Sequence, residues 1–338
     1  MSKQQAAAFF RQDITEQPAV LHNLLDAYST THRAEVNAVA RQFSAARQPV
    51  ILLGMGTSHY LCISAAYSFV AKGIPAWAPE AGEWIYYLAK HDKGSPVVAV
   101  SCSGESIEIV HVKKPYLAIV NAVDSTVGRQ AKVTLPMLVG EIHTSTTKGV
   151  TNPLALLQLI AHQTAGTFGK QLTALRRTAD AMATMVKNDI GTELYEWFGQ
   201  PDFTDVLGRG PAYGMARVGG MLLREMVRVR NDAMPGASFR HGAVLEMGPG
   251  HRMISLASGK TTDLGHAVAR DAAKAGSRVI LITDQAGQRS GKNLKVVKVP
   301  DLGEECFQFI ALQVMEQYIA AGTDRHGTEY SFFVTTKE

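Results

Sequence analysis

Pro96-Val97-Val98-Ala99-Val100-Ser101-Cys102-Ser103-Gly104-Glu105-Ser106 carries an apolar run straight into a hydroxyl-rich glycine turn. A run this short, closed by a turn, reads as a strand buried on both faces, and the turn then lies at the carboxyl edge of a parallel sheet. In open α/β sheets that edge is where ligands bind. Gly104 lets the backbone turn tightly, and Ser101, Ser103 and Ser106 offer O–H donors. Backbone N–H groups converging at a helix start hold phosphate well. Taken alone, the same residues also read as an ordinary serine-capped helix start.

Working outward, Pro49–Leu53, Tyr116–Val120 and Val133–Leu138 are further apolar runs bounded by helical patterns, which is the rhythm of an α/β protein with a covered parallel sheet. The second half repeats it at Asp205–Leu207, Met253–Ala257, Arg278–Thr283 and Leu294–Val299. Each half also opens with a strand entering a glycine loop, Gly54-Met55-Gly56-Thr57-Ser58 and Gly208-Arg209-Gly210, and later carries a second turn, Ser103-Gly104-Glu105-Ser106 and Ser258-Gly259-Lys260-Thr261. Loop and turn are 49 residues apart in one half and 50 in the other, so two copies of one unit are expected. Leu172, Leu175, Met182 and Met185 fall at helical spacing between them. The expected order is an N-terminal arm and first domain over 1–166, a linking helix over 167–200, and a second domain with C-terminal tail over 201–338.

Hydroxyls cluster twice more in the first half, at Thr57-Ser58 after the first strand and at Thr144-Ser145-Thr146-Thr147-Lys148 after Val133–Leu138. Three such clusters favour a polyhydroxylated anion as ligand. Gly54-Met55-Gly56 lacks the third glycine of the dinucleotide pattern, and Ser258-Gly259-Lys260-Thr261-Thr262 lacks the leading glycine of a P-loop, so neither nucleotide is expected. In the second half, Glu225 lies beside the apolar positions Met221, Leu222, Met226 and Val229. It reads either as a proton shuttle with a raised pKa or as a surface carboxylate paired with Arg224 or Arg228. His241 reads either as an acid/base imidazole near neutral pH or as a plain loop histidine. No spacing suited to a catalytic metal occurs, and no cofactor is expected.

These stretches, with Asp13-Ile14-Thr15-Glu16-Gln17-Pro18, Glu141-Ile142, Arg240-His241-Gly242 and Gly322-Thr323-Asp324, resemble the sugar isomerase (SIS) domain family, most closely the isomerase half of glucosamine-6-phosphate synthase. The resemblance covers nearly the whole chain and implies two tandem doubly wound, flavodoxin-like SIS domains. It implies that Ser101, Cys102, Ser103, Ser106 and Thr57 bind a sugar phosphate, and that Gly56, Ser58, Thr144 and Thr146 line the sugar. Glu225 matches the family's proton-shuttling glutamate. His241 matches its ring-opening histidine, which reaches in from the partner of a homodimer. The implied activity is isomerisation or deamination of an amino sugar 6-phosphate, with a fructosamine-6-phosphate deglycase or a sugar-phosphate sensor as alternatives. The glutaminase domain of the synthase has no counterpart in this sequence, Val218 and Leu222 stand at polar positions of its helix, and Arg325 to Val334 contains no lysine. Synthesis through an imine on lysine is therefore not expected.

Composition sets the boundaries of this reading. Hydrophobic residues make up 46% of the 338 and charged residues 19%, as in globular proteins. The formal charge is only +4, with basic residues scattered, so nucleic acid is not an expected partner. No apolar stretch approaches the roughly 20 residues that span a bilayer. The first residues lack a secretory pattern and the three cysteines have no paired spacing, so a cytoplasmic home is expected.

Overall fold

A computed structural model describes residues 2–113, 115–143 and 145–326. Its ten strands build two five-stranded sheets in which every pairing is parallel. The first holds β1 (Val50–Leu53), β2 (Ala76–Trp77), β3 (Val97–Ser101), β4 (Leu117–Val120) and β5 (Val133–Pro136), in the order β2-β1-β3-β4-β5. The second holds β6 (Phe203–Gly208), β7 (Arg230–Pro235), β8 (Arg252–Ala257), β9 (Arg278–Thr283) and β10 (Leu294–Lys298), in the order β7-β6-β8-β9-β10. Counted along the chain, both sheets run second, first, third, fourth, fifth, which is the doubly wound, flavodoxin-like order.

The central strands form because their side chains fit a surface covered on both faces. Every residue of β1 and β4 is buried. Leu53, Ala99, Ile109, Val120 and Val127 share one cluster, and Leu207, Phe239, Met253, Val268 and Leu281 share its counterpart in the second sheet. Each Val, Leu or Ile buried in this way contributes about 1.5–3 kcal/mol.

Two strands escape the hydrophobic pattern, β2 and β7, and both are edge strands with a single neighbour. β2 is only two residues long, and β7 carries Arg230 and Asp232 on its exposed positions. Charge on an edge blocks pairing with another sheet, so such a strand does not announce itself by apolarity. Asn231 between those charges is buried, its amide donating to the Gly220 carbonyl at 2.7 Å.

The described residues divide into two compact units, one of Glu16–Ile142 with Thr146–Ala179, the other of the chain up to Thr15, His143–Ser145 and the stretch from Asp180 to His326. Residues 167–200 contain two helices, Phe168–Lys187 and Gly191–Phe198, in place of one continuous helix. The break falls where Asp189 accepts the Gly191 N–H at 2.8 Å, a local bond that competes with helix continuation. The N-terminal arm is tied into the second of these units by Arg11, whose guanidinium meets Asp189 at 3.1 Å and Asp324 at 3.0 Å. Among the described residues no helix is long and apolar enough to cross a membrane.

Candidate active site

In the first sheet the strand order reverses between β1 and β3, which are direct neighbours with Leu53 opposite Ala99. Their following loops therefore open side by side at the carboxyl edge. Gly54 is required there, because a Cβ would come within 2.5 Å of the Ser58 backbone. Gly56 (φ +52°) then turns the chain into the helix Thr57–Ala71, so Thr57 and Ser58 sit in its first turn among amides without intrahelical acceptors. On the β3 side, Ser101 is buried and its Oγ accepts the Gly104 N–H at 3.1 Å, with the Ser106 hydroxyl 3.5 Å away. The exposed Ser103 accepts the Glu105 N–H at 3.2 Å. Gly104 has φ +66°, and a Cβ there would lie 2.0 Å from the Ser125 hydroxyl oxygen.

Glu105, the one carboxylate inside this turn, is directed elsewhere: its Oε1 accepts the Thr126 N–H at 2.8 Å, at the start of the next helix. Burial pushes the Cys102 thiol up to about 11, so it is neutral at physiological pH and presents no negative charge beside the serines. Thr146 packs where a Gly149 Cβ would be, at 2.5 Å, with Cys102 Sγ 3.5 Å from the same point. Helix Lys148–Thr164 thus begins close to the serine turn. Lys148 itself is 2% exposed, held by Glu16 at 2.5 Å and by the Glu141 carbonyl at 2.9 Å. Thr144 lies outside the described residues.

In the second unit the helix Pro211–Val227 follows the Gly208-Arg209-Gly210 loop and buries Met215, Val218, Leu222 and Met226. Val218 and Leu222 therefore belong to the core of this unit. Glu225 stands off that face. Arg224 turns away to donate to the Asn231 carbonyl, whereas the Ser145 hydroxyl donates to the Glu225 carboxylate. Burial raises the Glu225 pKa above the usual glutamate value and the Ser145 bond opposes the shift. The side chain nevertheless keeps substantial accessible surface, so it is crowded by protein on some sides and reachable by solvent on another. His241 is exposed in the turn after the short helix Gly236–Phe239, its N–H donating to the Ser238 carbonyl at 2.9 Å. Among the described residues no hydrogen bond joins His241 to Glu225.

A profile of the SIS domain matches residues 42–163, the stretch that holds β1 to β5 and both loops. A glutamine–fructose-6-phosphate aminotransferase [isomerizing] of Pseudomonas putida is 27% identical over 353 residues, covering 94% of this chain and 56% of its own. The chain thus spans about half the length of the curated relatives it matches. Among solved structures, the C-terminal domain of glucosamine-fructose-6-phosphate aminotransferase from Francisella tularensis superposes with a TM-score of 0.80 at 19% identity, covering 94% of this chain and 96% of its own. Tagatose-6-phosphate ketose/aldose isomerase from Escherichia coli gives 0.82 at 17%, covering 94% and 93%. At such identities these two likenesses speak to the fold alone.

Three contacts were not singled out by sequence reasoning. Ser145 stood only within a hydroxyl cluster, yet its hydroxyl bonds Glu225. Its neighbour His143 is fixed by the buried Asp13, whose carboxylate accepts the His143 N–H at 3.3 Å and faces its Nδ1 at 3.0 Å, while Phe9 stacks on the ring at 4.8 Å. Lys148 and Glu16 anchor the helix start beside the serine turn. Asp13 and Glu16 had been noted as part of a resembling stretch; their contacts lie 130 and 132 residues away in sequence.

Proposed function

We propose that the chain is a phosphosugar enzyme that moves a proton between C1 and C2 of an amino sugar 6-phosphate, of the glucosamine- or galactosamine-6-phosphate type, and releases the amine as ammonia. The observation that carries this reading is Glu225, a carboxylate with a raised pKa, reachable from solvent and oriented by a serine hydroxyl. A general base works best when its pKa lies near the operating pH, and burial moves Glu225 in that direction. The isomerising relative, which acts on fructose 6-phosphate by name, supports chemistry at C1 and C2 of a hexose 6-phosphate.

In this reading the amides at the start of Thr57–Ala71 and the hydroxyls of Thr57, Ser101, Ser103 and Ser106 hold the phosphate, with Cys102 packed behind them. Gly56, Ser58, Thr144 and Thr146 line the sugar. His241, supplied by the second copy in a homodimer, assists ring opening. Glu225 removes the C2 proton of the open aldosamine, the electron pair forms a C1–C2 double bond as the C1 carbonyl oxygen takes a proton from water, and an enolaminol results. Returning the proton to C1 gives a C2 imine, and water hydrolyses it to ketose phosphate and ammonia. Every step is proton transfer or hydration, so the acid/base pair suffices.

Incubation with glucosamine 6-phosphate and galactosamine 6-phosphate, followed by an ammonia assay, tests the proposal. Ammonia from either substrate supports it. Silence from both with folded protein overturns it, and amine release from a fructosamine 6-phosphate in the same assay would redirect the reading to a deglycase. Tight sugar-phosphate binding without turnover of any of the three would make the chain a sensor.

A further inference from the structure

The second unit repeats the backbone of the first at both loops. Gly210 adopts φ +55° and ψ −133°, against +52° and −126° at Gly56. Gly259, in the turn after β8, has φ +65°, against +66° at Gly104 after β3. A Cβ at Gly208 would come within 2.4 Å of the backbone one helical turn ahead, as one at Gly54 would at 2.5 Å. The cradle is duplicated; its contents are not.

In the first unit the helix after the fifth strand begins with Lys148, near the serine turn. In the second, the helix after the fifth strand begins with Glu304. Its carboxyl carbon lies 2.2 Å from where a Gly259 Cβ would be, and its Oε1 lies 4.0 Å from the corresponding point at Gly210. The Lys260 N–H donates to this carboxylate. Burial is the largest influence on Glu304 and raises its pKa; the Lys260 ammonium opposes, while Glu305 and Asp284 add to the rise. A side chain held against repulsion from two other carboxylates, at the junction of two glycine loops, is placed by the loops and their N–H groups. Arg209, in the glycine loop after β6, packs its side chain against Gly236, with Nε 3.2 Å from where a Gly236 Cβ would be. Ser258, the counterpart of Ser103, donates to Asp284 at 2.6 Å and is withdrawn from the turn.

We propose that the second unit retains an oxyanion cradle and that the Glu304 carboxylate is its resident ligand, excluding phosphate from it. The chain then carries two cradles of one ancestry, the first open and the second closed by its own side chain. Gly259 and Lys260 remain exposed, so an external anion reaches the turn once the carboxylate is gone. All the residues involved lie between Gly208 and Glu305, so the proposal goes beyond the catalytic reading and stands independently of it.

The test is equilibrium dialysis of the full chain against radiolabelled inorganic phosphate. E304A is expected to bind one more phosphate per chain than the unsubstituted protein, and acetate, which replaces the missing carboxylate, is expected to compete for that extra site. Adding K260M to E304A should weaken the extra phosphate by about tenfold or more, since it removes the attracting charge. Adding S103A and S106A should leave the extra phosphate in place while lowering any binding in the first unit, which separates this proposal from the catalytic one. Should E304A fail to fold, E304Q keeps the shape without the charge and is expected to bind the additional phosphate more weakly than E304A is expected to. An unchanged phosphate count in folded E304A, or in E304Q when that is the only folded variant, overturns the proposal. So does an extra phosphate indifferent to K260M.

Discussion

The two units share strand order and loop backbone, yet they fill the same cradle differently. In the first, the turn glycine faces a serine, hydroxyls edge the loop, and the nearby helix begins with a buried lysine. In the second, the turn glycine faces a glutamate, and the turn serine is bonded to Asp284. A duplicated fold thus keeps its backbone, which hydrogen bonding and close packing dictate, while its side chains diverge to opposite charge. The difference teaches that an anion site is specified by what the backbone leaves open as much as by the N–H groups it offers.

The largest expected effect separates the labour of the units. E225Q should lose about 10²- to 10⁴-fold in kcat, the usual worth of a positioned acid/base group, while sugar-phosphate binding measured by calorimetry stays within a few-fold. S103A should do the reverse, raising KM more than it lowers kcat. If both variants lose binding alone, the assignment of chemistry to the second unit is wrong.

Next in size is a matched pair of glycine substitutions read by denaturant melts. Each alanine meets a positive φ, at a cost of about 1–2 kcal/mol. G104A also meets the short, fixed Ser125 side chain and should cost about 2–4 kcal/mol in total. G259A meets the far end of Glu304, which can swing aside, so it should cost about 1–2 kcal/mol. Equal losses would show that Glu304 is as immovable as Ser125.

K148M should destabilise by about 1–3 kcal/mol. Removing one partner of a fully buried ion pair costs more, but Glu16 is 37% exposed and water compensates part of its loss. A melt unchanged within 0.5 kcal/mol, roughly the scatter of neutral surface substitutions, would mean that Lys148 does not secure the helix start.

The smallest effect is a pH dependence. The fold raises the Glu225 pKa, so the folded state binds a proton more tightly than the unfolded chain. That contribution is fully present below the ordinary glutamate pKa and is lost as pH rises through the raised value. E225Q should therefore melt slightly higher than the unsubstituted protein at neutral pH, and the gap should close on acidification. A gap that widens towards acid contradicts the raised pKa.

How legible each part was follows from where its determinants lie. β1, β3, β4, β6, β8 and β9 were readable because burial on both faces demands continuous apolar side chains. β2 and β7 were not: β2 is two residues long, and β7 carries Arg230 and Asp232 outward, whereas the edge strands β5 and β10 keep apolar runs. The serine turn was readable as local glycine and hydroxyl chemistry. From its neighbours alone Glu225 reads more readily as a surface carboxylate than as a proton shuttle; the Ser145 hydroxyl that donates to it and the Arg224 side chain that points elsewhere lie beyond any local pattern.

The sequence by itself determined the α/β class, the duplication, and the glycine loops, because strand periodicity and turn chemistry act over a few residues. Tertiary structure alone decided which carboxylate is crowded and which is bonded away, that Asp13 fixes His143, and that Glu304 fills the second cradle. Those outcomes depend on electrostatics and exclusion between residues brought together from distant parts of the chain, and no local pattern records such distances.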